Sequence, residues 1–280
     1  MDPRDAGGLL RPHGGRRHRF GRVLVYGVWL KHLVLLRQHG MTQTPHTVLE
    51  IGPGDSLGAG LAALLCGAER YAAVDTVRHS SAERTRAVLR ELVALFQSRA
   101  PRPRRGWPDF DALLDGRLFP SSILAEETLT TSMAPERIAR IAEAVARVDS
   151  DAQHPMLRYA TWRDPSPAAD GQVDLAFSHV VLCMVADLDG LYARLGRWVK
   201  PGGWMSHQTD FLSRGITPEW NGHLQFGEGA WRMIQGRRPF FVNRARLSTH
   251  LALADKNGFD VIAVMQRTRP GGIDRSRLAP

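Results

Sequence analysis

The sequence predicts an α/β protein with a doubly wound, mostly parallel sheet. Short apolar segments rich in β-branched residues alternate along the chain with longer segments of helical composition. A glycine-rich turn, GPGDS at residues 52–56, joins the first strand of this alternation to its helix. Of the 280 residues, 43% are hydrophobic, so one domain can fill its own core without disulfides or a structural metal.

The first 40 residues predict a basic leader and a helix, ahead of a folded domain at residues 41–280. Residues 1–19 are rich in Gly, Arg and His, and we expect at least the first dozen to be disordered. Residues 23–37 (VLVYGVWLKHLVLLR) are apolar but too few to span a bilayer. We interpret them as a helix packed on the domain, and peripheral contact with a membrane stays an alternative.

A strand, a turn, a helix and a second strand come next. Residues 47–51 (TVLEI) predict the first strand, and residues 57–66 predict a helix that stops at Gly67. Residues 71–74 predict the second strand, which Asp75 closes. These elements form a βαβ unit, one half of a doubly wound sheet.

Two longer stretches interrupt the alternation. Residues from about 80 to 150 hold amphipathic helices at 82–99 and 134–148, more than a simple crossover needs, and we interpret them as a helical cap. Residues 211–246 are polar and aromatic without a clear period, which predicts a second insertion facing the substrate.

The remaining segments complete the sheet. Strands are predicted at 156–160, 174–178, 204–207 and 259–266, helices at 188–199 and 247–257, and a turn at 200–203 (KPGG). After residue 266 the chain is rich in Gly and Pro. We therefore expect that a seventh strand is missing, or that the chain is truncated or completed by a partner.

The composition excludes several classes of function. The net charge of +9 comes mainly from arginine, and no basic stretch is interleaved with aromatic residues as nucleic-acid binding would require. Cys66 and Cys183 lie in apolar runs and predict buried free thiols in a reducing, cytoplasmic location. Neither these two cysteines nor the spacing of the eleven histidines predicts a metal site. A homodimer is possible.

The glycine turn favours an amino-acid ligand over a dinucleotide. It places backbone amides and a helix N-terminus at the carboxyl edge of the sheet. In a dinucleotide turn a third glycine would stand where this chain has Leu57, and Asp55 would face a pyrophosphate unfavourably. Glu50 and Asp55 can instead face an α-ammonium group, and Asp75 is placed to accept ribose hydroxyls. A nicotinamide-dependent oxidoreductase is the weaker alternative.

The segments VLEIGPGDS, AAVD, VDLAFSHVVL and WVKPGG together resemble the class I, Rossmann-like methyltransferases that use S-adenosylmethionine (SAM). Other segments, among them FPSSIL, MSHQTDF and TPEWNGH, resemble a bacterial subgroup of these enzymes with undefined substrates. The resemblance implies a seven-strand fold from about residue 47 to 266, and S-adenosylhomocysteine (SAH) as product.

The resemblance also implies roles for particular residues. It implies that the methionine part of SAM is held by Glu50, Gly52, Pro53, Gly54 and Asp55. It implies that the adenosine part is held by Asp75, Thr76, Ala160, Thr161 and Trp162, with Ser178 and His179 near the sulfonium. Where relatives carry Glu-His after the fourth strand, this chain has Cys183-Met184, so a SAM-binding protein without catalysis stays an alternative.

The acceptor side is predicted from residues after the fifth strand. We expect His207 to act as a general base and Asp210 to orient it or to bind the substrate, because the strand points both toward the cleft. Asn221, His223 and Trp231 are expected to bind the substrate. These residues predict O-methylation of a natural-product or sugar-type small molecule, with N-methylation as the alternative.

Overall fold

The computed structural model describes residues 16–102, 118–164, 168–238, 240–268 and 270–279, with side chains from residue 25 onward. The first dozen residues, for which disorder was predicted, lie outside the described residues.

The elements are named here in chain order. The helices are α1 (Arg16–Gln38), α2 (Gly58–Leu65), α3 (Ala82–Gln97), α4 (Glu126–Ser132), α5 (Pro135–Ala146), α6 (Leu188–Trp198), α7 (Glu228–Gln235) and α8 (Leu247–Lys256). The strands are β1 (Thr47–Ile51), β2 (Arg70–Asp75), β3 (Leu157–Thr161), β4 (Val173–His179) and β5 (Val199–Gln208). Short 3-10 helices occupy Leu182–Met184, Gly222–Gln225 and Arg275–Arg277.

The five strands form one parallel sheet in the order β3-β2-β1-β4-β5. This order confirms the predicted doubly wound sheet, since the chain runs outward from β1 to β3 and then returns to β4 on the other side of β1. The topological switch point therefore lies between β1 and β4, and ligands of such sheets bind at the carboxyl ends of the strands there.

Helices cover the two faces of the sheet unequally. One face, which we call the α1 side, is covered by α1, α2, α3 and α5, and the buried residues of these helices form the larger hydrophobic core. The other side, which we call the α6 side, is covered mainly by α6 and α8. The described part of the β3–β4 connection, residues 162–164 and 168–172, holds no helix, so a groove of about 670 Å³ remains beside β2 and β3.

The helices predicted as a cap over residues 80–150 belong to this α1-side layer. Leu92 and Phe96 of α3, with Ile141 and Val145 of α5, are buried in the larger core. These helices extend the hydrophobic layer because their apolar stripes need a buried partner.

The predicted sixth strand at residues 259–266 is wrong. Gly258 has a φ of 80° and turns the chain out of α8, and the following segment forms no strand. Val261 and Ile262 are exposed, and no described strand pairs with the outer edge of β5. An apolar, β-branched run indicates strand propensity, but a strand also needs a neighbour that offers a free edge in register.

The turn predicted at residues 200–203 is a bulge inside β5. Val173 pairs with Val199 and Leu175 with Trp204, so four residues of β5 lie opposite one residue of β4. Gly202, with a φ of 73°, absorbs the irregularity.

In the described part of the chain no helix is long and apolar enough to cross a membrane. Both cysteines are free and buried, as predicted.

Gly60 of α2 is required by the packing of the sheet against that helix. A Cβ on Gly60 would lie 2.0 Å from ring carbons of Tyr71 on β2. We expect Gly60→Ala to lower the free energy of unfolding by about 2 to 4 kcal/mol in urea denaturation, because the ring has to move within a packed core. Gly229→Ala, in α7 with open space around it, is the matched control and should be neutral or stabilising. Equal stability of the two variants would contradict this packing argument.

Candidate functional site

The carboxyl ends of the strands bring most of the predicted site residues to one edge. Ile51 at the end of β1 pairs with Ser178 of β4, and Asp75 at the end of β2 pairs with Thr161 of β3. The glycine turn after β1 therefore lies between the ends of β2 and β4, at the switch point.

Two glycines shape this turn. Gly52 and Gly54 have φ angles of 67° and 65°, in the left-handed region that other residues rarely adopt. A Cβ on Gly52 would lie 2.6 Å from the side chain of Val181, in the loop of residues 180–187 that follows β4 and that we call the β4 loop. The turn can approach this loop only with glycine at position 52. A Cβ on Gly54 would meet nothing within 4 Å, so the backbone at Gly54 is open to a ligand.

Asp75 ties the glycine turn to β2. Its Oδ2 accepts the amide N–H of Gly54 at 3.0 Å, and its Oδ1 accepts the N–H of Thr76 at 2.7 Å. The carboxylate is half-buried, and its Oδ1 also accepts the hydroxyl of Thr76 at 3.2 Å. The remaining acceptor capacity therefore lies on Oδ2. Asp55 in the same turn is exposed.

Glu50 faces the α1-side core and not the open edge. Its carboxyl group accepts the hydroxyl of Tyr71 at 2.6 Å and the amide of Gly60 at the start of α2. The side chain is 5% exposed, and burial raises the pKa of Glu50 to about 8. Glu50 thus holds the beginning of α2 under the glycine turn, a contact that the sequence did not predict.

The adenine side of the predicted site contains a cavity of about 310 Å³. Its lining includes Val74, Thr161, Trp162, Arg194 and Trp198. Trp162 stacks on Trp198 with ring centroids 6.2 Å apart and an interplanar angle of 13°, and the guanidinium of Arg194 lies 5.4 Å from the Trp162 ring. The stacking predicted between Trp162 and adenine is made here with Trp198.

Asp164 is a site residue that sequence reasoning missed. Its Oδ2 accepts the N–H of Thr161 at 2.6 Å and lies 3.6 Å from the guanidinium of Arg78. The backbone hydrogen bond of Thr161 lowers the pKa of Asp164. An aspartate side chain in a turn often accepts a hydrogen bond from a nearby backbone N–H. The aspartate three residues after the last residue of β3 is visible in the sequence and could have indicated this contact.

His207, the predicted base, is placed on the α6 side of β5. Its Nδ1 lies 2.9 Å from the hydroxyl of Ser178, and its Nε2 is buried without a partner among the described residues. Tyr192 and His250 lie next in this row of rings, and burial lowers the pKa of His207 to about 4. His207 lies on this side because alternate residues of a strand point to opposite faces of the sheet.

Asp210 orients an arginine and not His207. Its Oδ2 lies 2.7 Å from Arg214, whose guanidinium also contacts the sulfur of Cys183 at 3.6 Å. The prediction that Asp210 orients His207 is therefore wrong, and the reason is a neighbour four residues later with the opposite charge.

The predicted substrate residues pack within the second insertion. Trp231 is buried in an aromatic cluster, with the ring of Phe241 at 5.1 Å and that of His223 at 6.1 Å. Asn221 accepts the N–H of Ile273 at 2.7 Å and so holds the C-terminal segment. Asn243 fastens the insertion to the β4 loop, because its side-chain amide donates to the carbonyls at 182 and 185.

Sequence reasoning also missed a group of polar residues on the α1 side of β4 and β5. Lys31 and His32 of α1 are buried, although the sequence shows them only as interruptions of an apolar run. The Nδ1 of His32 lies 2.7 Å from the hydroxyl of Ser206. Gln208, at the end of β5, is 6% exposed. Among the described residues no group of His, Cys, Asp and Glu is arranged to hold a metal ion.

The profile of a family described as a methyltransferase domain matches residues 122–206. This segment contains α4, α5, β3, β4, α6 and most of β5. No curated protein matches the sequence. The family match covers less than a third of the chain, and the strand order is that of a doubly wound, Rossmann-like sheet.

Solved structures that align with the chain are distant. One is phosphoethanolamine N-methyltransferase 2 of Haemonchus contortus in complex with SAM, with 16% identity over 82% of this chain and 36% of that one, at a TM-score of 0.40. Another is geranyl diphosphate C-methyltransferase of Streptomyces coelicolor, with 15% identity over 90% of this chain and 68% of that one, at a TM-score of 0.41. The chain spans 36% of the length of the Haemonchus enzyme.

The burial of Glu50 predicts a dependence of stability on pH. Its folded-state pKa of about 8 lies above the ordinary value of 4.5, so the folded protein binds the proton more tightly than the unfolded chain. The stabilisation from this group is complete below pH 4.5 and is lost as the pH rises to about 8. The wild-type free energy of unfolding, measured with urea, should therefore fall between pH 5 and pH 8.5. We expect this fall to be smaller in Glu50→Gln by about 1 to 3 kcal/mol.

The matched control is Glu136→Gln, at an exposed position of α5. This variant should follow the wild-type pH profile. If Glu50→Gln also follows it, the carboxyl group of Glu50 is not buried as described.

Proposed function

We propose that the protein transfers the methyl group of SAM to an oxygen atom of a small-molecule acceptor. The observation that carries this proposal is the link between the glycine turn and Asp75 at the switch point, where the Gly54 amide donates to Asp75 at 3.0 Å. This geometry places backbone amides and a carboxylate side by side, as a ligand with an amino-acid part and a ribose requires.

The residues at this edge fit SAM. The open space at Gly54 admits the methionine part beside the backbone, and the exposed carboxylate of Asp55 can pair with its ammonium group. The Oδ2 of Asp75 has the remaining acceptor capacity for a ribose hydroxyl. The cavity lined by Thr161 and Trp162 receives the adenine, with Thr76 at its exposed side. Glu50 acts from beneath, by positioning the start of α2.

The protein itself contributes the orientation of the acceptor. Bound SAM supplies a methyl group that is already activated on a sulfonium, so no protein nucleophile is required. The chain holds the acceptor oxygen in line with that methyl group and excludes water from it. Ser178 and His179 end β4 beside the glycine turn, so the acceptor is expected there.

Oxygen is favoured as the nucleophile by the charges near this edge. The imidazoles of His179 and His32 lie on the α1 side, where burial lowers the pKa of each ring. The carboxylate of Asp210 is paired with Arg214 and does not provide a free anion for an ammonium substrate. Because the Nδ1 of His207 contacts Ser178 and its Nε2 is buried, we assign no base role to His207.

Calorimetry with SAH tests the cofactor part of this proposal. We expect the wild-type protein to bind SAH and Asp75→Ala to weaken binding by about 100-fold, because the ribose loses a charged acceptor and the Gly54 amide loses its partner. Asp255→Ala removes an exposed carboxylate of α8 and should bind SAH like the wild type. The absence of heat with wild-type protein would refute SAM as the cofactor.

A further inference from the structure

The cavity of about 310 Å³ lies between α6 and the connection from β3 to β4. Trp162, at the start of this connection, stacks on Trp198 at the end of α6. Near the other end of the connection, the N–H of Gly171 donates to the carbonyl of Arg197 at 2.8 Å. The connection is therefore fastened to α6 at both of its ends, and the cavity has walls from two separate elements.

Helix α6 contributes a flat and firmly held wall. Arg194 and Trp198 are four residues apart, so they lie on one face of the helix. Trp198 is 3% exposed and belongs to the core on the α6 side, which fixes its ring. The guanidinium of Arg194 lies 5.4 Å from the centre of the Trp162 ring, the geometry of a cation–π contact. The lining thus contains three planar groups, two indoles and one guanidinium.

Planar groups in a cavity wall favour a planar ligand. Nucleic-acid bases stack on aromatic side chains and on guanidinium planes, and every base presents a π-face for such a contact. Since both indoles and the guanidinium of Arg194 line the same cavity, a flat ring bound there contacts residues of α6 as well as Trp162.

The charges of the lining favour an uncharged ring over an anion. Two carboxylates, Asp164 and Asp170, stand in the lining with two guanidiniums, those of Arg194 and Arg197. A phosphate would gain from the arginines but would also meet both aspartates. A neutral ring that carries an amino group and unprotonated ring nitrogens can donate to a carboxylate and accept from a guanidinium. Adenine has both kinds of group.

The cavity opens beside the carboxylate that is proposed to hold the ribose. Val74 lines the cavity and directly precedes Asp75, and the N–H of Trp162 donates to the carbonyl of Asp75 at 3.0 Å. One bond joins the base of a nucleoside to its ribose, so a nucleoside with its ribose at Asp75 has its base at the cavity. The volume of about 310 Å³ is at the lower end of the range of about 300 to 1,000 Å³ for small-molecule sites.

We propose that Trp198 and Arg194 of α6, together with Trp162, form the stacking surface for the adenine ring of SAM. Helix α6 is then a third wall of the cofactor site, beside the glycine turn and the ends of β2 and β3. The proposal rests on the proposed function and extends it to a helix for which the sequence predicts no part in cofactor binding.

Two probes test this proposal by fluorescence. They are SAH and 5′-methylthioadenosine, which carries the adenosine part without the amino-acid part. Adenine stacked on an indole quenches the fluorescence of that indole, so either probe should lower the tryptophan fluorescence of the wild-type protein. The decrease should be smaller in Trp198→Phe, because one of the two indoles at the cavity is gone.

Affinities measured by calorimetry give the second readout. We expect Trp198→Leu to weaken both probes about tenfold and Arg194→Met about fivefold, as the loss of a stacking contact predicts. Both probes should lose affinity by the same factor, since they share the adenosine part. Arg194 is half-buried, so Arg194→Met should keep the thermal unfolding temperature of the wild type and decides the matter if Trp198→Leu is unstable. Arg86→Met, at an exposed position of α3 on the opposite face of the sheet, is the matched control and should bind both probes like the wild type.

The outcomes separate this proposal from the one on which it rests. If the wild type binds SAH without a change in fluorescence, or if Arg194→Met binds both probes as tightly as the wild type, the role of α6 is refuted and SAM remains the cofactor. If the wild type fails to bind SAH, the proposed function itself fails. Inorganic phosphate probes the other chemistry of the cavity. Phosphate binding that requires Arg194 and excludes 5′-methylthioadenosine would assign the cavity to an anion and overturn the proposal.

Discussion

At Gly52 and Gly54 the chain leaves β1 with positive φ angles, and the arrangement of the whole edge depends on these two residues. Gly52 allows the turn to lie against Val181 of the β4 loop, where any Cβ would collide. Gly54 directs its N–H to Asp75 and leaves open space on its other side. The ends of β1, β2 and β4 are thereby held together with their backbone and carboxylate groups facing one region, which a ligand with an amino-acid part and a sugar can occupy.

The support for this edge lies beneath it, in the core. The Tyr71 ring fills the space that Gly60 leaves empty, and its hydroxyl reaches the carboxyl group of Glu50 at 2.6 Å. Burial raises the pKa of that carboxyl group to about 8, so at lower pH it is protonated and can remain in an apolar layer without a counter-ion. The acid at the end of β1 therefore contributes to the site by positioning α2. Folding energetics and cofactor geometry depend on the same three residues.

Helix α1 connects the larger core to the ends of β4 and β5. Tyr26, Trp29 and Leu33 bury one part of the helix in the larger core, while Lys31 and His32 meet the polar ends of β4 and β5. Through α1 the larger core thus reaches the ends of β4 and β5. The second insertion reaches the same edge from the other direction, and Asn243 fastens it to the β4 loop.

The sequence by itself determined the sheet class, the positions of the first five strands along the chain and the residues at their carboxyl ends, including Gly52, Gly54 and Asp75. These features are local, because a strand, a turn and a helix are written in composition and spacing within a few residues. Only the tertiary structure decided which way each side chain faces and what it contacts. His207 lies under α6 since strand residues alternate between faces, and Asp210 pairs with Arg214. Residues 259–266 remain outside the sheet because pairing requires a neighbouring edge, which the periodicity of one segment cannot specify. Lys31 and Gln208, 177 residues apart in a chain of 280, are brought to one edge by contacts between distant segments, and no local pattern records such contacts.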